Sequence, residues 1–341
     1  MERVGARAGS ASALVVLESV PALRSTTNPY IHQLVDAIAT RADVELFSWR
    51  RALVGRFDVF HVHWPELLSR GSGPLKTFGK QLLTWVFQTR IALQRKPVVR
   101  TAHNVAPHES GSRFERRLLA RWDSLTTAWV TLNEQTPLPP GAHRVVVPHG
   151  HYTDYYAHLP QSEPTPGRIA AIGQIRGYKG TGDLVRVFRE LDVPDARLIV
   201  AGAARTAALR DELIALAGPD TRISLEFGFV DDDRLVEIVT SSSLIALPYA
   251  AMHNSGALIL ALSLRRPVLA PRNDVTDALA AEVGEEWVRR YDQMLTADVL
   301  ADAVRAGVPE GAPDLSARGW EEAGRAHVAL FEQICLKELS R

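Results

Sequence analysis

The sequence predicts an α/β protein with two Rossmann-like, doubly wound domains that face a central cleft. Short apolar runs alternate with amphipathic segments, which is the pattern of a parallel sheet covered by helices. A polar, proline-rich segment at 158–168 interrupts this alternation, and the same pattern then starts again. The chain of 341 residues is long enough for two domains of ordinary size. Ligands of such sheets bind at the carboxyl ends of the strands, so the expected site lies in the cleft.

The first predicted domain spans residues 1–157. A helix is predicted over 28–42, because apolar residues recur at helical spacing and Asn28-Pro29 suits an N-cap followed by a first-turn proline. Further helical segments are predicted around 76–95 and 113–123. Six apolar runs are predicted as strands: "SALVVLES", "VELFSW", "FDVFHVHW", "PVVRTAHN", "AWVTLN" and "RVVVPHG".

The second predicted domain spans 169–316, after the linker at 158–168, and a last helical segment follows at 317–341. The helices are predicted from amphipathic spacing, and the strands from short apolar runs. The predicted strands are "RIAAIGQI", "ARLIVAGA", "RISLEFGFV", "SLIALPY" and "PVLAP". The predicted helices are "GTGDLVRVFREL", "RTAALRDELIALA", "DDDRLVEIVTSS" and "SGALILALSL".

The composition excludes several classes of protein. Lys+Arg and Asp+Glu balance at 39 each, and no base-stacking motif is present, so a nucleic-acid partner is not expected. The single cysteine, Cys335, excludes a disulfide framework within the chain and fits a reducing compartment. The first apolar run is too short for a secretory signal, and no segment is apolar for long enough to span a membrane. We therefore predict a cytoplasmic protein.

Two helix starts in the second domain are candidate phosphate sites. In "IRGYKG", Arg176 and Lys179 precede a helix that opens near Gly180, where backbone N–H groups and the helix dipole favour an anion. A solvated basic turn is the alternative interpretation. The second start has residues suited to capping and to close approach of a ligand, or simply to capping a buried helix: Asn254, Ser255 and Gly256. Two such helix starts at one sheet edge suit a diphosphate.

"IRGYKG", "PYAAMHNSGALILALSLRRPVLAP" and "GWEEAGRAHVALFEQ" together resemble GT-B fold glycosyltransferases related to the family 4 sugar transferases. "HVHWPE", "AHNVAPHE" and "VPHGHY" resemble a bacterial subgroup that builds extracellular or capsular polysaccharide. The resemblance implies sugar transfer from a GDP- or UDP-linked donor to a saccharide or lipid-linked acceptor. Both nucleotides stay open, and the subgroup suggests GDP-mannose. The resemblance also implies an acceptor-binding first domain, a donor-binding second domain, a last helix that returns to the first domain, and no bound metal or other cofactor.

The resemblance assigns donor contacts to particular residues. Arg176 and Lys179 match the cations that hold the diphosphate, and "GFVDDDRL" matches a loop near the base. The predicted donor-binding residues are Arg176, Lys179, Gly180, Phe229, Tyr249, Asn254, Ser255, Gly256, Ala257 and His149. One departure concerns the two glutamates that retaining members carry with seven residues between them, since Met252 and Leu260 occupy those positions. The stereochemical outcome therefore stays open.

Histidines and acids gather where three first-domain strands end. His61 and His63 are two residues apart on one strand, so they share a face. An acceptor hydroxyl must lose a proton during sugar transfer, and an imidazole or carboxylate can take it. His103 ranks first because the resemblance places a histidine there beside the donor sugar, and the complete set of predicted catalytic residues is His103, Glu109, His63 and Glu66. Two alternatives remain: a metal-dependent hydrolase that uses the H-x-H pair, and an inactive GT-B binding protein.

The segment 75–96 combines aromatic and leucine side chains with five basic residues and has no acid. One interpretation is a helix that lies on an anionic membrane surface, with a lipid-linked acceptor at the inner face of the cell membrane. The other is a core helix with a basic outer face.

Overall fold

The computed structural model describes residues 14–103, 111–249 and 252–339. They form two compact units, one up to Gly150 together with residues from Arg318 on, and one over His151–Ala317. The division lies seven residues before the predicted boundary at 157/158, because the segment after Gly150 is bound to the second unit. There the backbone N–H of Tyr152 donates to Ser263 Oγ at 2.8 Å.

The first unit contains a six-stranded parallel sheet in the order β2-β1-β3-β4-β5-β6. All six strands follow predicted apolar runs. Their bounds are β1 Val15–Glu18, β2 Asp43–Leu46, β3 Val59–Val62, β4 Val98–Ala102, β5 Ala128–Thr131 and β6 Arg144–Val146. The order places β1, β3 and β4 side by side, so the residues at their carboxyl ends are neighbours.

The helices of the first unit confirm the predicted segments and add two short ones. Asn28 caps the first helix, since its side chain accepts from the N–H of Tyr30 at 3.0 Å. The last helix packs against the first, where a side chain at Gly324 would meet the carbonyl of Ala37. The bounds are α1 Pro29–Ala39, α2 Trp49–Val54, α3 Pro65–Ser69, α4 Pro74–Gln94, α5 Arg113–Leu125 and α13 Trp320–Leu339.

The second unit contains another six-stranded parallel sheet, in the order β12-β11-β10-β7-β8-β9. Five strands match predicted runs, and the sixth, β12, was not predicted. The predicted linker 158–168 is shortened, because β7 already begins at Thr165 and pairs with β10. The bounds are β7 Thr165–Ile172, β8 Arg197–Gly202, β9 Ile223–Phe227, β10 Ser242–Ala246, β11 Val268–Pro271 and β12 Val288–Tyr291.

Seven helices accompany this sheet in the described residues, and an apolar core lies between α7, α8, α12 and the strands. Several begin with side-chain caps, of which Asn273 forms a reciprocal capping box with Thr276. The bounds are α6 Thr153–Tyr156, α7 Thr181–Arg189, α8 Ala207–Ala217, α9 Asp232–Ser241, α10 Gly256–Ser263, α11 Asp274–Val283 and α12 Ala297–Arg305.

Helix α4 has an unusual distribution of polar and apolar side chains. Its buried face includes the polar residues Gln81, Thr84 and Gln88, while its outer face exposes large apolar side chains, including Phe78 at 63% and Trp85 at 47%. Phe87 and Ile91 of α4 are buried in the core of the first unit, so α4 is a core helix whose outer face carries exposed apolar side chains as well as basic ones. Its contact with a membrane stays a prediction. Among the described residues, no helix has the length and hydropathy of a membrane span.

Candidate functional site

A buried carboxylate joins two histidines at the carboxyl edge of the first sheet. Glu18 ends β1, and its Oε1 lies 2.7 Å from His61 Nδ1. Its other oxygen, Oε2, lies 3.2 Å from His63 Nε2. All three side chains are buried. The predicted shared face of His61 and His63 is confirmed, since their ring centroids are 4.4 Å apart.

The hydrogen bonds continue in both directions from this trio. His61 Nε2 lies 2.8 Å from Thr101 Oγ1, a residue of β4. His63 Nδ1 lies 2.9 Å from Nε2 of His103, which directly follows β4. The chain of contacts therefore runs Thr101–His61–Glu18–His63–His103, and we call it the histidine relay.

Strand register explains how the relay forms. Glu18 pairs with His61 across β1 and β3, and His61 is the partner of Val99 across β3 and β4. Parallel strands present their carboxyl ends at one edge, so groups that are about 40 residues apart in sequence meet there.

Burial and neighbouring charges set the protonation of the relay. Burial alone would raise the pKa of Glu18, but the interactions of its carboxylate with His61, and then with His63, outweigh burial and hold that pKa well below its usual range. Burial lowers the pKa of His63, as does His61, and the hydrogen bond to Glu18 offsets only part of this. Burial and then His63 lower the pKa of His103 strongly. The carboxylate is therefore ionised, and His63 and His103 are neutral near pH 7.

Aromatic side chains surround the exposed end of the relay. Trp64 stacks on His103 with ring centroids 4.4 Å apart and planes at 22°. Tyr30 of α1 meets His103 edge-on at 5.2 Å and lies 4.8 Å from the ring of His149. Trp320, at the start of α13, lies 5.2 Å from Tyr30. The sequence did not single out Tyr30, Trp64 or Trp320 for this site.

His149 is thus a member of the first unit. It is buried beside Tyr30, and its Nδ1 lies 2.9 Å from the carbonyl of Gly150. Burial lowers the pKa of His149 to about 4. His149 therefore belongs to the group of aromatic side chains that surrounds His103. Its predicted contact with the donor stays a prediction.

His327 of α13 reaches the relay from the opposite end of the chain. It is fully buried, its ring lies 5.3 Å from that of His61, and its Nδ1 lies 2.7 Å from the carbonyl of Ala323. Burial, followed by His61, lowers the pKa of His327 to about 3. His327 Nε2 has no hydrogen-bond partner among the described residues, so this histidine is neutral.

Glu18, His61 and His63 also form the one described group with the composition of a metal site, since their ligand atoms lie within 4.8 Å of one another. Two ligands at about 2.0–2.1 Å from one tetrahedral zinc ion lie roughly 3.3 Å apart. The 2.7 Å contact between Glu18 and His61 is shorter and fits a charge-assisted hydrogen bond. The arrangement is that of a hydrogen-bonded relay.

The other predicted catalytic residues have different outcomes. His63 was predicted as a base, but both of its ring nitrogens bond within the relay and its side chain is buried, so it cannot meet an acceptor directly. Glu66 lies on the first turn of α3 and makes no side-chain hydrogen bond to another described residue. Glu109 lies outside the described residues. His103 ends the relay, and it is partly exposed.

A second candidate site lies at the carboxyl edge of the second sheet. Lys179 Nζ lies 3.3 Å from the hydroxyl of Tyr249 and 4.7 Å from the centroid of its ring. Burial, and then the charge of Arg176, lower the pKa of Lys179 to about 8. Arg176 itself donates from Nη2 to Gln174 Oε1 at 2.7 Å. The two predicted cations are therefore neighbours in the turn before α7.

Gly180 brings this turn against the end of β10. Its φ is +63°, and a Cβ atom there would lie 2.1 Å from the carbonyl oxygen of Pro248. A larger residue would therefore push the turn away. The close approach forms a pocket whose lining includes Gly173, Lys179, Thr181 and Tyr249.

The start of α10 borders the same edge. Ser255 caps it, with Oγ accepting from the N–H of Leu258 at 3.2 Å, and the Ser255 side chain also hydrogen-bonds to Tyr249. Asn254, Gly256 and Ala257 are half-buried beside the cap. Met252 and Leu260, which the resemblance matches to the glutamate positions of retaining enzymes, are buried apolar side chains, and that match stays a prediction.

Phe229 is separate from this pocket in the described residues. It lies in the loop between β9 and α9, and 72% of its surface is exposed. The neighbouring Glu226 is paired with Arg234. The predicted base contact of Phe229 therefore stays a prediction.

Two curated relatives align with almost the whole chain. A GDP-mannose:glycolipid 4-beta-D-mannosyltransferase of Xanthomonas campestris pv. campestris is 41% identical over 335 residues, which are 97% of this chain and 96% of the relative. A protein of the same name from a named strain of that pathovar is 40% identical over the same shares. No profile of a known protein family matches the chain.

Solved glycosyltransferases share the fold. AviGT4, a glycosyltransferase involved in avilamycin A biosynthesis, superposes with a TM-score of 0.57 at 14% identity, over 95% of this chain and 98% of its own. Anabaena HepE, solved with UDP-glucose, gives a TM-score of 0.59 at 13% identity, over 96% of this chain and 100% of its own. At these identities the likeness shows the fold alone, and it confirms the predicted GT-B class.

Proposed function

Because the chain belongs to the same glycosyltransferase family as the two Xanthomonas campestris mannosyltransferases, we propose that it transfers mannose from GDP-mannose to a glycolipid acceptor. The observation that carries this proposal is the 41% identity, which extends over 97% of the chain and so includes both candidate sites. We further propose that the product is a β-mannoside. GDP-mannose carries its sugar through an α bond, so the anomeric carbon is inverted.

Inversion in one step needs a base for the acceptor. The acceptor oxygen forms a bond to C1 of mannose while the bond from C1 to the diphosphate oxygen breaks, and that electron pair leaves with GDP. The hydroxyl proton passes to the base. We assign this role to His103, because it ends the relay, is partly exposed and is neutral near pH 7.

The leaving diphosphate needs positive charge and oriented dipoles. Lys179 and Arg176 supply charge at the start of α7, and the capped start of α10 presents backbone N–H groups at the same edge. Met252 and Leu260 leave this edge without the glutamates of retaining relatives, in agreement with an inverting reaction. Because these groups can take the place of a metal ion, we propose that transfer proceeds without a bound metal.

The outer surface of α3, α4 and α5 supports a lipid-linked acceptor. Leu75, Phe78, Leu82, Trp85 and Leu93 lie along α4 at helical spacing, and all are exposed. Leu67 of α3 and Phe114 of α5, on helices that pack against α4, are exposed as well. We call these seven side chains the apolar surface, and Lys76 and Lys80 lie beside it on α4.

An exposed apolar surface with basic neighbours fits the interface of an anionic membrane. Arg90, one of the basic residues of 75–96, takes no part in this surface. Its guanidinium donates to the carbonyls of Arg51 and Ala52, so it fixes α4 to α2. We propose that the apolar surface holds the enzyme at the membrane that carries its glycolipid acceptor.

The donor half of the proposal is tested by calorimetry with GDP, GDP-mannose, UDP and UDP-glucose. We expect binding of the guanine nucleotides and much weaker binding of the uridine nucleotides. The acceptor half is tested by incubation with GDP-mannose and a panel of glycolipids, with the mannosylated product detected by mass spectrometry. Tight binding of UDP-glucose with no binding of GDP-mannose would refute the donor assignment.

A further inference from the structure

We propose that Glu18 and His63 are positioning residues that fix the tautomer of His103 and balance the charge it gains on taking a proton. The inference rests on the proposed function, in which His103 is the base. The acceptor contacts neither Glu18 nor His63, because both side chains are buried. They act through the chain of hydrogen bonds.

The tautomers of the histidines can be assigned in order along the relay, starting from Glu18. An ionised carboxylate only accepts, so His61 donates from Nδ1 and His63 donates from Nε2 to Glu18. A neutral His63 then has its lone pair on Nδ1, which faces His103 Nε2 at 2.9 Å. His103 must therefore carry its proton on Nε2 and its lone pair on Nδ1. Glu18 is connected to His103 by two hydrogen bonds through His63, and it thereby sets which nitrogen of His103 is the base.

The same hydrogen bonds offset surroundings that disfavour a positive charge on His103. Burial and the neighbouring His63 make a charged His103 unfavourable, and the other described groups that act on it, His149, His61 and His327, lower its pKa further. His61, His149 and His327 are imidazoles, Tyr30 is a buried phenol whose pKa is raised by burial and then by Glu18, and Arg318 is a cation near His149. Glu18 is the carboxylate of the described relay, and its negative charge balances the positive charge of a protonated His103.

The arrangement resembles the orienting carboxylate of a nucleophile–histidine–carboxylate triad, extended by one imidazole. In such triads, changing the carboxylate to its amide lowers turnover by about 10⁴-fold, chiefly because the histidine takes the wrong tautomer. A fully buried carboxylate is costly unless it is paired and hydrogen-bonded, and Glu18 satisfies both oxygens with imidazoles alone.

The kinetic test uses Glu18→Gln. A glutamine cannot accept from both His61 and His63, since one of its two polar atoms is a donor, and it carries no charge. We expect kcat to fall about 100-fold or more, with KM for GDP-mannose changed less than about threefold. Glu18→Asp keeps the charge and should recover at least about tenfold of the lost kcat.

Glu115→Gln is the matched control, because Glu115 is also a buried glutamate of the first unit but pairs with Arg70. It should keep kcat within about threefold of wild type, and thermal melting with GDP calorimetry shows that each variant is folded. Wild-type kcat in Glu18→Gln would overturn the proposal. So would an equal loss in Glu18→Gln and Glu115→Gln, which would indicate general damage.

A spectroscopic readout needs no activity. In wild-type protein with ¹⁵N-labelled histidine, the nitrogen shifts should show His63 and His103 as Nε2–H tautomers, each assigned by its glutamine variant. An Nδ1–H tautomer at His103 would overturn the relay even in an active enzyme. Absence of mannosyl transfer by wild-type protein would instead refute the proposed function, and the tautomers would still decide the relay.

Discussion

We predict that, in the proposed donor site, the lowered pKa of Lys179 makes GDP binding depend on pH in an unusual range. Burial, and then Arg176, bring this pKa to about 8. A diphosphate binds the charged ammonium and gains little from a neutral amine. The affinity for GDP should therefore fall as the pH rises through 8, whereas an exposed lysine would stay charged to well above pH 9.

The size of the effect follows from the fraction of charged lysine. With a pKa of about 8, roughly nine tenths of Lys179 is charged at pH 7 and roughly one tenth at pH 9. If the diphosphate binds only the charged form, the Kd for GDP rises about tenfold between these pH values. A lysine with an ordinary pKa of about 10.4 would change the Kd by only a few per cent.

The assay is calorimetric titration with GDP at several pH values from 7 to 9, on wild type, Lys179→Arg and Lys179→Met. Arginine stays charged throughout, so the Lys179→Arg profile contains only the titration of the nucleotide and of other residues. Lys179→Met should bind about tenfold or more weakly at pH 7 and follow the Lys179→Arg slope. Parallel profiles for wild type and Lys179→Arg would refute a lowered pKa at Lys179.

Three further predictions concern metal, acid stability and the membrane. Treatment with EDTA should leave transfer unchanged, and restoration by added zinc or magnesium after a loss would contradict the metal-free proposal. His149 and His327 have lower pKa values folded than unfolded, so their stabilising effect is complete above about pH 6.5 and is lost toward pH 4. Each of these two histidines should lower the free energy of unfolding by about 2 kcal/mol between pH 7 and pH 5. In urea unfolding, His327→Leu should therefore lose less stability over this pH range than wild type. Phe78→Ser with Leu82→Ser should weaken sedimentation with anionic vesicles at least about tenfold, while Leu336→Ser on the exposed face of α13 should not; equal effects would refute the apolar surface.

Much of the fold follows from sequence patterns alone. Each strand of the first sheet coincides with an apolar run, and Asn28-Pro29 marks the start of α1. Strand β12 was not predicted, because two arginines interrupt its apolar residues. Arg289 reaches the carbonyls of Ala303 and Gly307, and Arg290 pairs with acidic residues, so both remain in the strand without being apolar.

The relay shows where sequence patterns stop. His63 and His103 could be identified because histidines cluster where strands end, but Glu18 reads as the last polar residue of an ordinary strand. Only the register of β1 with β3 places its carboxylate against His61. His327 and Tyr30 arrive from helices whose packing has no local signature.

On the donor side the outcome is the reverse. Arg176, Lys179 and Gly180 lie in one short sequence pattern and Ser255 lies in another, so the sequence alone identified them. The pairing of β7 with β10 then places the turn and the helix cap at one edge. The role of Tyr249 is a tertiary feature, since its ring meets a lysine 70 residues earlier.

The proposed reaction is an inverting transfer of mannose with His103 as the base. It is tested most directly by the anomeric configuration of the product formed from GDP-mannose and a glycolipid acceptor, determined by NMR for wild type, with the rate of His103→Gln measured beside it. We predict a β-mannoside from wild type and a loss of kcat of about 100-fold or more in His103→Gln, with GDP binding retained. An α-mannoside, or wild-type turnover in His103→Gln, would contradict this mechanism.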